Sequence, residues 1–239
     1  VVLLLGDYKI ISDSPSNTAE QVREKERILT EAICKRRERY IKQADLWTSA
    51  FFGNESDENL YQNLVRHIIG EESQLTQDQV KQYLTLVEEL TDEKRFFHWE
   101  LEFPEVFFDE TGIRKNNPGF DAVIGNPPYV NAIELNKILS DYEKPFWKEH
   151  FNSASGAYDL YILFLELGMK LTRGKGQSSL ITPNKFLSAP YAVAFREYCC
   201  KSVKLRRVFN LSRIKVFKDP SVYPIVTIME NTSPDRQGR

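Results

Sequence analysis

Apolar residues recur at roughly helical spacing through residues 18–52, at Val22, Ile28, Leu29, Ile33 and Ile41, within a charged stretch free of glycine and proline. That spacing predicts a long helix. A second helix is predicted over residues 59–69 and a third over residues 76–90, where Thr76 and Gln79 have the form of a capping box. Near residue 95 the texture changes, and strand-like and helix-like runs begin to alternate. Residues 120–124 form a short, mostly apolar run that ends abruptly at Gly125. Residues 157–171 are apolar nearly all round and predict a buried helix, with Gly174 and Gly176 as its stop. A buried strand follows over residues 178–182, halted by Pro183. Ser188 is read as the N-cap of a helix reaching Cys200, with Pro190 tolerated in its first turn. Strands over residues 205–211 and 225–230 complete the set, the last starting after Pro224 because proline gives no ladder donor. Alternation of this kind implies an α/β sheet with helices on its faces.

Composition changes this picture little. With 239 residues, 41% hydrophobic and 28% charged, the chain can build one sizeable core or a domain with a large appendage. A formal net charge of −2 neither supports nor opposes a nucleic-acid partner, so any nucleic-acid binding would have to come from a local basic face. Val1-Val2-Leu3-Leu4-Leu5 is ended at once by Gly6-Asp7. It is too short for a bilayer span, which needs ~20 apolar residues, and it lacks the flanks of a signal peptide. The chain carries no initiating Met and is read as a piece of something longer. Cys34, Cys199 and Cys200 have no metal-ligand spacing and are read as free thiols in a reducing cytosol, giving a cytoplasmic expectation with no membrane partner.

The most informative residues are Asp121-Ala122-Val123-Ile124-Gly125-Asn126-Pro127-Pro128-Tyr129. Here a buried strand runs straight into two prolines. Each fixes φ and removes a backbone donor, so the ladder must end. The residue preceding a proline is pushed out of the helical region, which holds Asn126 and Pro127 extended. The expected result is a stiff turn at the carboxyl end of a strand, where open α/β sheets place ligands. It presents an amide, a fixed carbonyl and an aromatic ring. Those groups suit an exocyclic amine on a flat ring, whose lone pair is delocalised into the ring. Two acceptors, the Asn126 side-chain oxygen and the Pro127 carbonyl, would each take one N–H and draw the nitrogen toward a tetrahedral geometry. Fixed dipoles then stabilise the developing positive charge. Tyr129 offers a face for stacking, at ~1–3 kcal/mol per base, comparable to the few kcal/mol of pulling a base out of a duplex.

Residues 120–129 resemble the catalytic motif of S-adenosylmethionine-dependent amino-methyltransferases, the adenine-N6 DNA methyltransferases in particular. Ser179-Leu180-Ile181-Thr182-Pro183-Asn184-Lys185-Phe186-Leu187 is similar to that family's next strand and loop, and Lys185 is taken with it as substrate-binding. Val216-Phe217-Lys218-Asp219-Pro220-Ser221-Val222-Tyr223-Pro224-Ile225-Val226 resembles the late motif whose aromatic stacks on the other face of the flipped base. By that match Phe217 is the second stacking ring. Ala44-Asp45-Leu46-Trp47 and His98-Trp99-Glu100-Leu101-Glu102-Phe103-Pro104-Glu105-Val106-Phe107 look like segments of large methylases fused to, or partnered with, restriction endonucleases. The resemblance implies a partial Rossmann-like methyltransferase sheet over residues 95–239, the C-terminal half of the catalytic domain, behind a mainly helical insert over residues 1–94. It implies methyl transfer from S-adenosyl-L-methionine to adenine N6 in double-stranded DNA. Asn126 and Pro127 would hold the amine, Pro128 would lock the turn, and Tyr129 with Phe217 would sandwich the base. It also implies a target-recognition or endonuclease domain or subunit as partner.

The chain departs from the family at the cofactor. No Gly-x-Gly pattern precedes Asn126, and Gly174-Lys175-Gly176 lies downstream, so cofactor-binding residues are unassigned. Two other readings stay open: methylation of a protein glutamine, whose amide poses the same electronic problem, and a non-catalytic DNA-binding or interaction fragment. Lys35, Arg36, Arg37, Arg39 and Lys42 form a basic cluster diluted by Glu31 and Glu38, while Lys204, Arg206, Arg207, Arg213, Lys215 and Lys218 flank the late motif. His98 with Glu100, Glu102 and Glu105 lacks an established ligand spacing, and no metal is expected. Asp159 is read as favourable charge at a helix N-terminus.

Overall fold

The computed structural model describes residues 2–54, 56–214, 216 and 223–232. The chain forms two compact units, Val1–Lys115 and Asn116–Arg239. Among the described residues, no helix is long and apolar enough to cross a membrane.

The first unit is helical: α1 (Val2–Asp13), α2 (Ala19–Ile28), α3 (Lys35–Ser49), α4 (Glu58–Ile69), α5 (Gln77–Lys94) and two single turns, α6 (Trp99–Glu102) and α7 (Pro104–Phe107). The helix predicted over residues 18–52 is one run. A capping box of Thr18 and Gln21 opens it, a π-helical turn (Leu29–Cys34) joins α2 to α3, and a short 3-10 turn ends it at Gly53 with φ of 101°. A π turn inserts an extra residue and rotates all that follows, so Ile33 faces inward while Leu29 stays exposed. The expected capping box of Thr76 and Gln79 starts α5, which runs to Lys94 and stops at Arg95 in the left-handed conformation. Leu46, Leu64 and Val87 from α3, α4 and α5 form the core of this unit. The opening apolar run, read in the sequence as cut short by Gly6, is instead the start of α1. Gly6 lies inside that helix with open space around it, so it costs only propensity.

Two upstream segments that stand 53 residues apart meet in this unit: His98 Nε2 and Asp45 Oδ1 are 2.7 Å apart, largely buried. Arg37 pairs with Glu102, whose carbonyl also accepts the Tyr8 hydroxyl, and Arg114 pairs with Glu100. His98, Glu100 and Glu102 are thus each committed to a different partner. The basic cluster is likewise spent in part on pairs, Arg36 with Asp7 and Lys42 with Glu38.

The second unit carries a four-stranded sheet. Its elements are β1 (Phe120–Gly125), α8 (Ala132–Ile138), α9 (Glu143–His150), α10 (Leu160–Leu171), β2 (Thr172–Pro183), α11 (Val193–Ser202), β3 (Lys204–Asn210) and β4 (Pro224–Glu230). The strand order is β1-β2-β4-β3. β1 and β2 are parallel, and β4 is antiparallel to both β2 and β3. β3 therefore runs with β1 and β2, and the ends of those three strands share one side of the sheet with the start of β4. The α/β reading of this half of the chain holds.

Alternation along β2 buries Ser178, Leu180 and Thr182, opposite Met229, Thr227 and Ile225 of β4. Tyr161, Ile162, Leu165 and Met169 of α10 and Phe195 of α11 complete that core. α10 lies close on β2 because residue 168 is glycine: a Cβ there would sit 2.6 Å from Ser178 Oγ. Glu166, on the same helix, is fully buried. Its carboxylate accepts the backbone N–H and side-chain amide of Asn152 and the backbone N–H and hydroxyl of Ser153, at 2.6–3.0 Å, with Lys170 Nζ at 3.1 Å.

Several boundaries differ from expectation, three of them near the ends of β2, α11 and β4. β2 begins at Thr172, not Ser178, because Gly174 and Gly176 form a bulge inside the strand instead of a helix stop. The pairing jumps from Phe120↔Thr172 to Ala122↔Gln177. Asn117 and Asn231 bind the bulge backbone, and at residue 176 any Cβ would sit 2.9 Å from the Phe120 carbonyl oxygen. Ser188 does not cap α11; Pro190 starts a 3-10 turn (Pro190–Ala192) and the helix begins at Val193. Pro224 belongs to β4 and faces Pro183, so two residues without N–H groups close that ladder together. Cys34, Cys199 and Cys200 are free, and burial pushes the Cys199 thiol up to about 12.

Candidate active site

The last β1–β2 pair is Gly125↔Leu180. Beyond it the chain reaches Asn126, exposed, Pro127, buried, Pro128, exposed, and Tyr129, half-buried. Neither proline can donate to β2. One residue past the final pair, the Ile181 carbonyl accepts the Tyr129 hydroxyl at 2.9 Å. A phenol thus supplies the donor that the backbone cannot. Burial raises the Tyr129 phenol above its ordinary pKa.

The ring of Tyr129 meets Tyr161 edge-on, centroids 6.2 Å apart, and Tyr161 meets Phe186 in the same way. The Tyr161 and Tyr191 hydroxyls are 2.8 Å apart, and burial with this contact raises the Tyr161 pKa. The exit from the turn is also fastened. Asn131 caps α8 through Ile133 and Glu134 N–H, Asp159 Oδ1 accepts the Ala132 N–H at 3.1 Å, and the Val130 carbonyl accepts the Leu160 N–H at 2.9 Å. Asp159 makes no side-chain cap on its own helix. Its carboxylate is a tie between α10 and the exit of the turn, more than the helix-end charge that local sequence suggests.

At the end of β2, Asn184, Lys185, Phe186 and Leu187 form a 3-10 turn with Phe186 buried and Lys185 exposed. The Asn184 N–H donates to the Tyr223 carbonyl at 2.9 Å, and Arg196 holds the Phe186 and Ala189 carbonyls. The structure therefore brings Asn126, Pro127, Pro128, Tyr129 and Lys185 to the carboxyl ends of β1 and β2. Phe217 lies outside the described residues. The sequence reading did not pick out Tyr161, Tyr191 and Tyr223, or give Asp159 its part. For Asp159 and Tyr161 the only local signal was a polar-aromatic start to an apolar helix.

Chemically, this end of the sheet offers acceptors on a segment with two consecutive prolines, beside tyrosine rings whose own hydroxyls are engaged. Tyr129→Phe is expected to cost ~0.5–1.5 kcal/mol of stability, the net value of one hydrogen bond, in chemical unfolding of the chain. An unchanged unfolding midpoint would show that the Ile181 contact contributes nothing.

The chain is similar to a type II restriction enzyme and methyltransferase, RM.Eco57I of Escherichia coli, at 25% identity over 119 residues, 50% of this chain and 12% of that protein. It is similar to the type II methyltransferase M.BstVI of Geobacillus stearothermophilus at 23% identity, covering 49% of this chain and 20% of that one. A third relative, the type II methyltransferase M.HincII of Haemophilus influenzae, is 27% identical over 43% of this chain and 20% of its own. The matched stretches thus span a fifth or less of these relatives. The family model described as Eco57I restriction-modification methylase matches residues 31–217, which takes in most of the helical unit and the sheet through β3. By that match the chain belongs to the Eco57I restriction-modification methylase family.

Proposed function

We propose that the protein methylates adenine at N6 in double-stranded DNA, using S-adenosyl-L-methionine, and that this chain carries the half of the site that holds the target base. The observation that carries the reading is the placement of Asn126-Pro127-Pro128-Tyr129 at the carboxyl end of β1 in a chain of this family. In this reading the Asn126 amide oxygen and the Pro127 carbonyl accept the two amine hydrogens. Pro128 fixes the direction of the turn. Tyr129, its hydroxyl held by Ile181, presents its ring to the base, and Phe217 is the second ring. Lys185 contributes positive charge near the sugar-phosphate backbone. A target-recognition or endonuclease domain or subunit completes the system.

No Gly-x-Gly turn precedes Asn126 in this sequence. The one Gly-x-Gly of the chain, Gly174-Lys175-Gly176, lies in the β2 bulge, at the opposite end of that strand from Pro183, and Asn117 and Asn231 already occupy its backbone. We therefore assign no step of the transfer to a cofactor contact in this chain. That observation favours a second reading for the isolated chain: a DNA-binding fragment without activity of its own. Calorimetric titration of residues 1–239 with S-adenosylmethionine is expected to show at most weak binding, and labelled methyl transfer to DNA little turnover. Robust turnover by the chain alone would overturn the division of the site. For the full-length protein, nucleoside analysis of treated DNA is expected to give N6-methyladenine. Label on a glutamine-containing peptide instead would transfer the same turn to a protein substrate.

A further inference from the structure

Two tyrosines are tied to the carboxyl end of β2 and the turn that follows it. From the β1 side, the Tyr129 hydroxyl donates to Ile181; from the β4 side, the Tyr223 carbonyl accepts the Asn184 N–H. Tyr223 immediately precedes Pro224, which is fixed by its pairing with Pro183, and the Pro224 carbonyl in turn accepts the Leu211 N–H. The backbone at Tyr223 is thus anchored on two sides. Its side chain is not packed: Tyr223 is 61% exposed, whereas Tyr129, Tyr161 and Tyr191 all belong to or pack against the core. A large aromatic on a fixed backbone, left in solvent at the end of the sheet that carries the catalytic turn, is suited to stacking on another flat ring.

Spacing decides which ring. Neighbouring strands lie ~4.8 Å apart, so β4, with β2 between, is ~10 Å from β1. That exceeds van der Waals contact with a base held at Asn126, and it places Tyr223 beside the next unit of the strand. Lys185, exposed one residue after Asn184, puts a cation next to the same path. We propose that Tyr223 is a nucleobase-stacking residue that takes an unpaired base adjacent to the one held at Asn126 and Tyr129. This extends the reading of the site as a DNA-base site and rests on it.

The test uses residues 1–239 and a short single-stranded oligoadenylate carrying one 2-aminopurine, with binding read by fluorescence polarisation and stacking by quenching of the analogue. Tyr223→Ala is expected to weaken binding roughly tenfold and to relieve part of the quenching, within the range set by loss of one stacked ring. Tyr223→Phe is expected to bind like the parent, because the ring face and not the hydroxyl makes the contact. Because the side chain is exposed, the thermal midpoint of both variants is expected to stay where it was, and Tyr223→Gln serves as a second, soluble deletion of the ring. If Tyr129→Ala weakens binding and Tyr223→Ala and Tyr223→Gln do not, the assignment of Tyr223 falls and the base-site reading stands. Parity of Tyr223→Phe with Tyr223→Ala also overturns it, pointing to the hydroxyl. If the parent chain shows neither binding nor quenching, the base-site reading falls and the Tyr223 assignment with it.

Discussion

Replacing Asn126 by alanine is expected to lower turnover of the full-length enzyme by ~10²–10³-fold, the usual cost of removing one preorganised dipole from a developing charge. DNA affinity should change by only a few-fold. The reasoning is differential: an amide oxygen facing an amine gains most when the nitrogen acquires positive charge, and little when the base is merely bound. Asn126 is exposed on a segment that Pro127 and Pro128 keep stiff, so truncating it removes the acceptor without opening a cavity. Single-turnover rates and DNA binding isotherms on the same preparation separate the two effects. Equal losses in affinity and turnover would assign Asn126 to ground-state binding and defeat the proposed role.

The second large effect is on stability. Glu166→Ala is expected to destabilise the chain by ~3–5 kcal/mol, the order found when one partner of a buried charged network is removed. Two backbone N–H groups, an amide and a hydroxyl would lose their acceptor at once, each costing about 1–3 kcal/mol if left unpaired and less where water enters. The carboxyl also gives the effect a pH signature. Burial opposes ionisation, but hydrogen bonds from Ser153 and Asn152 outweigh it, and the folded pKa lies below the ordinary 4.5. A group depressed in the folded state stabilises above its unfolded pKa, and that stabilisation fades as pH falls through the folded value. Unfolding free energy of the parent should therefore drop as pH falls below the carboxylate range more steeply than that of Glu166→Gln. Parallel pH profiles would remove Glu166 from the account.

How much of this was legible in the sequence follows from the range of each interaction. The strand ending at Gly125 and the stiffness beyond it were readable because two adjacent prolines act on their own backbone. The capping box of Thr76 and Gln79 was readable for the same reason, as was the helical texture ahead of residue 95. The anchor of Tyr129 was not, because its acceptor is 52 residues downstream and is a main-chain carbonyl that every residue possesses. Asp159 looks like a helix-end charge until Ala132, 27 residues earlier, is brought to it. The β2 bulge misled in the opposite direction. Of the two glycines that locally read as a stop, Gly176 is there because the Phe120 carbonyl and the neighbouring backbone leave no room for a Cβ, while a Cβ at Gly174 would meet the Asn117 side-chain oxygen. Tyr223 could be quoted as part of the late motif, but its exposure is a property of the fold alone.

The position of β1 in the sheet of residues 1–239 sets how firmly the Asn126–Tyr129 turn is carried. Among the described residues, β2 and β4 are each bonded on both sides, whereas β1 pairs with β2 alone, and Ile124 on it is 83% exposed. Edge segments open locally at lower free energy than interior ones, so in residues 1–239 taken by themselves the strand that delivers Asn126 is expected to be among the first parts of the sheet to fray. Opening needs three tethers released as well, the phenol on Ile181, the Asp159 carboxylate on the Ala132 N–H and the Leu160 N–H on the Val130 carbonyl. Those contacts confine the breathing of β1 to its own length and keep the turn in register with β2 while the strand behind it exchanges with solvent.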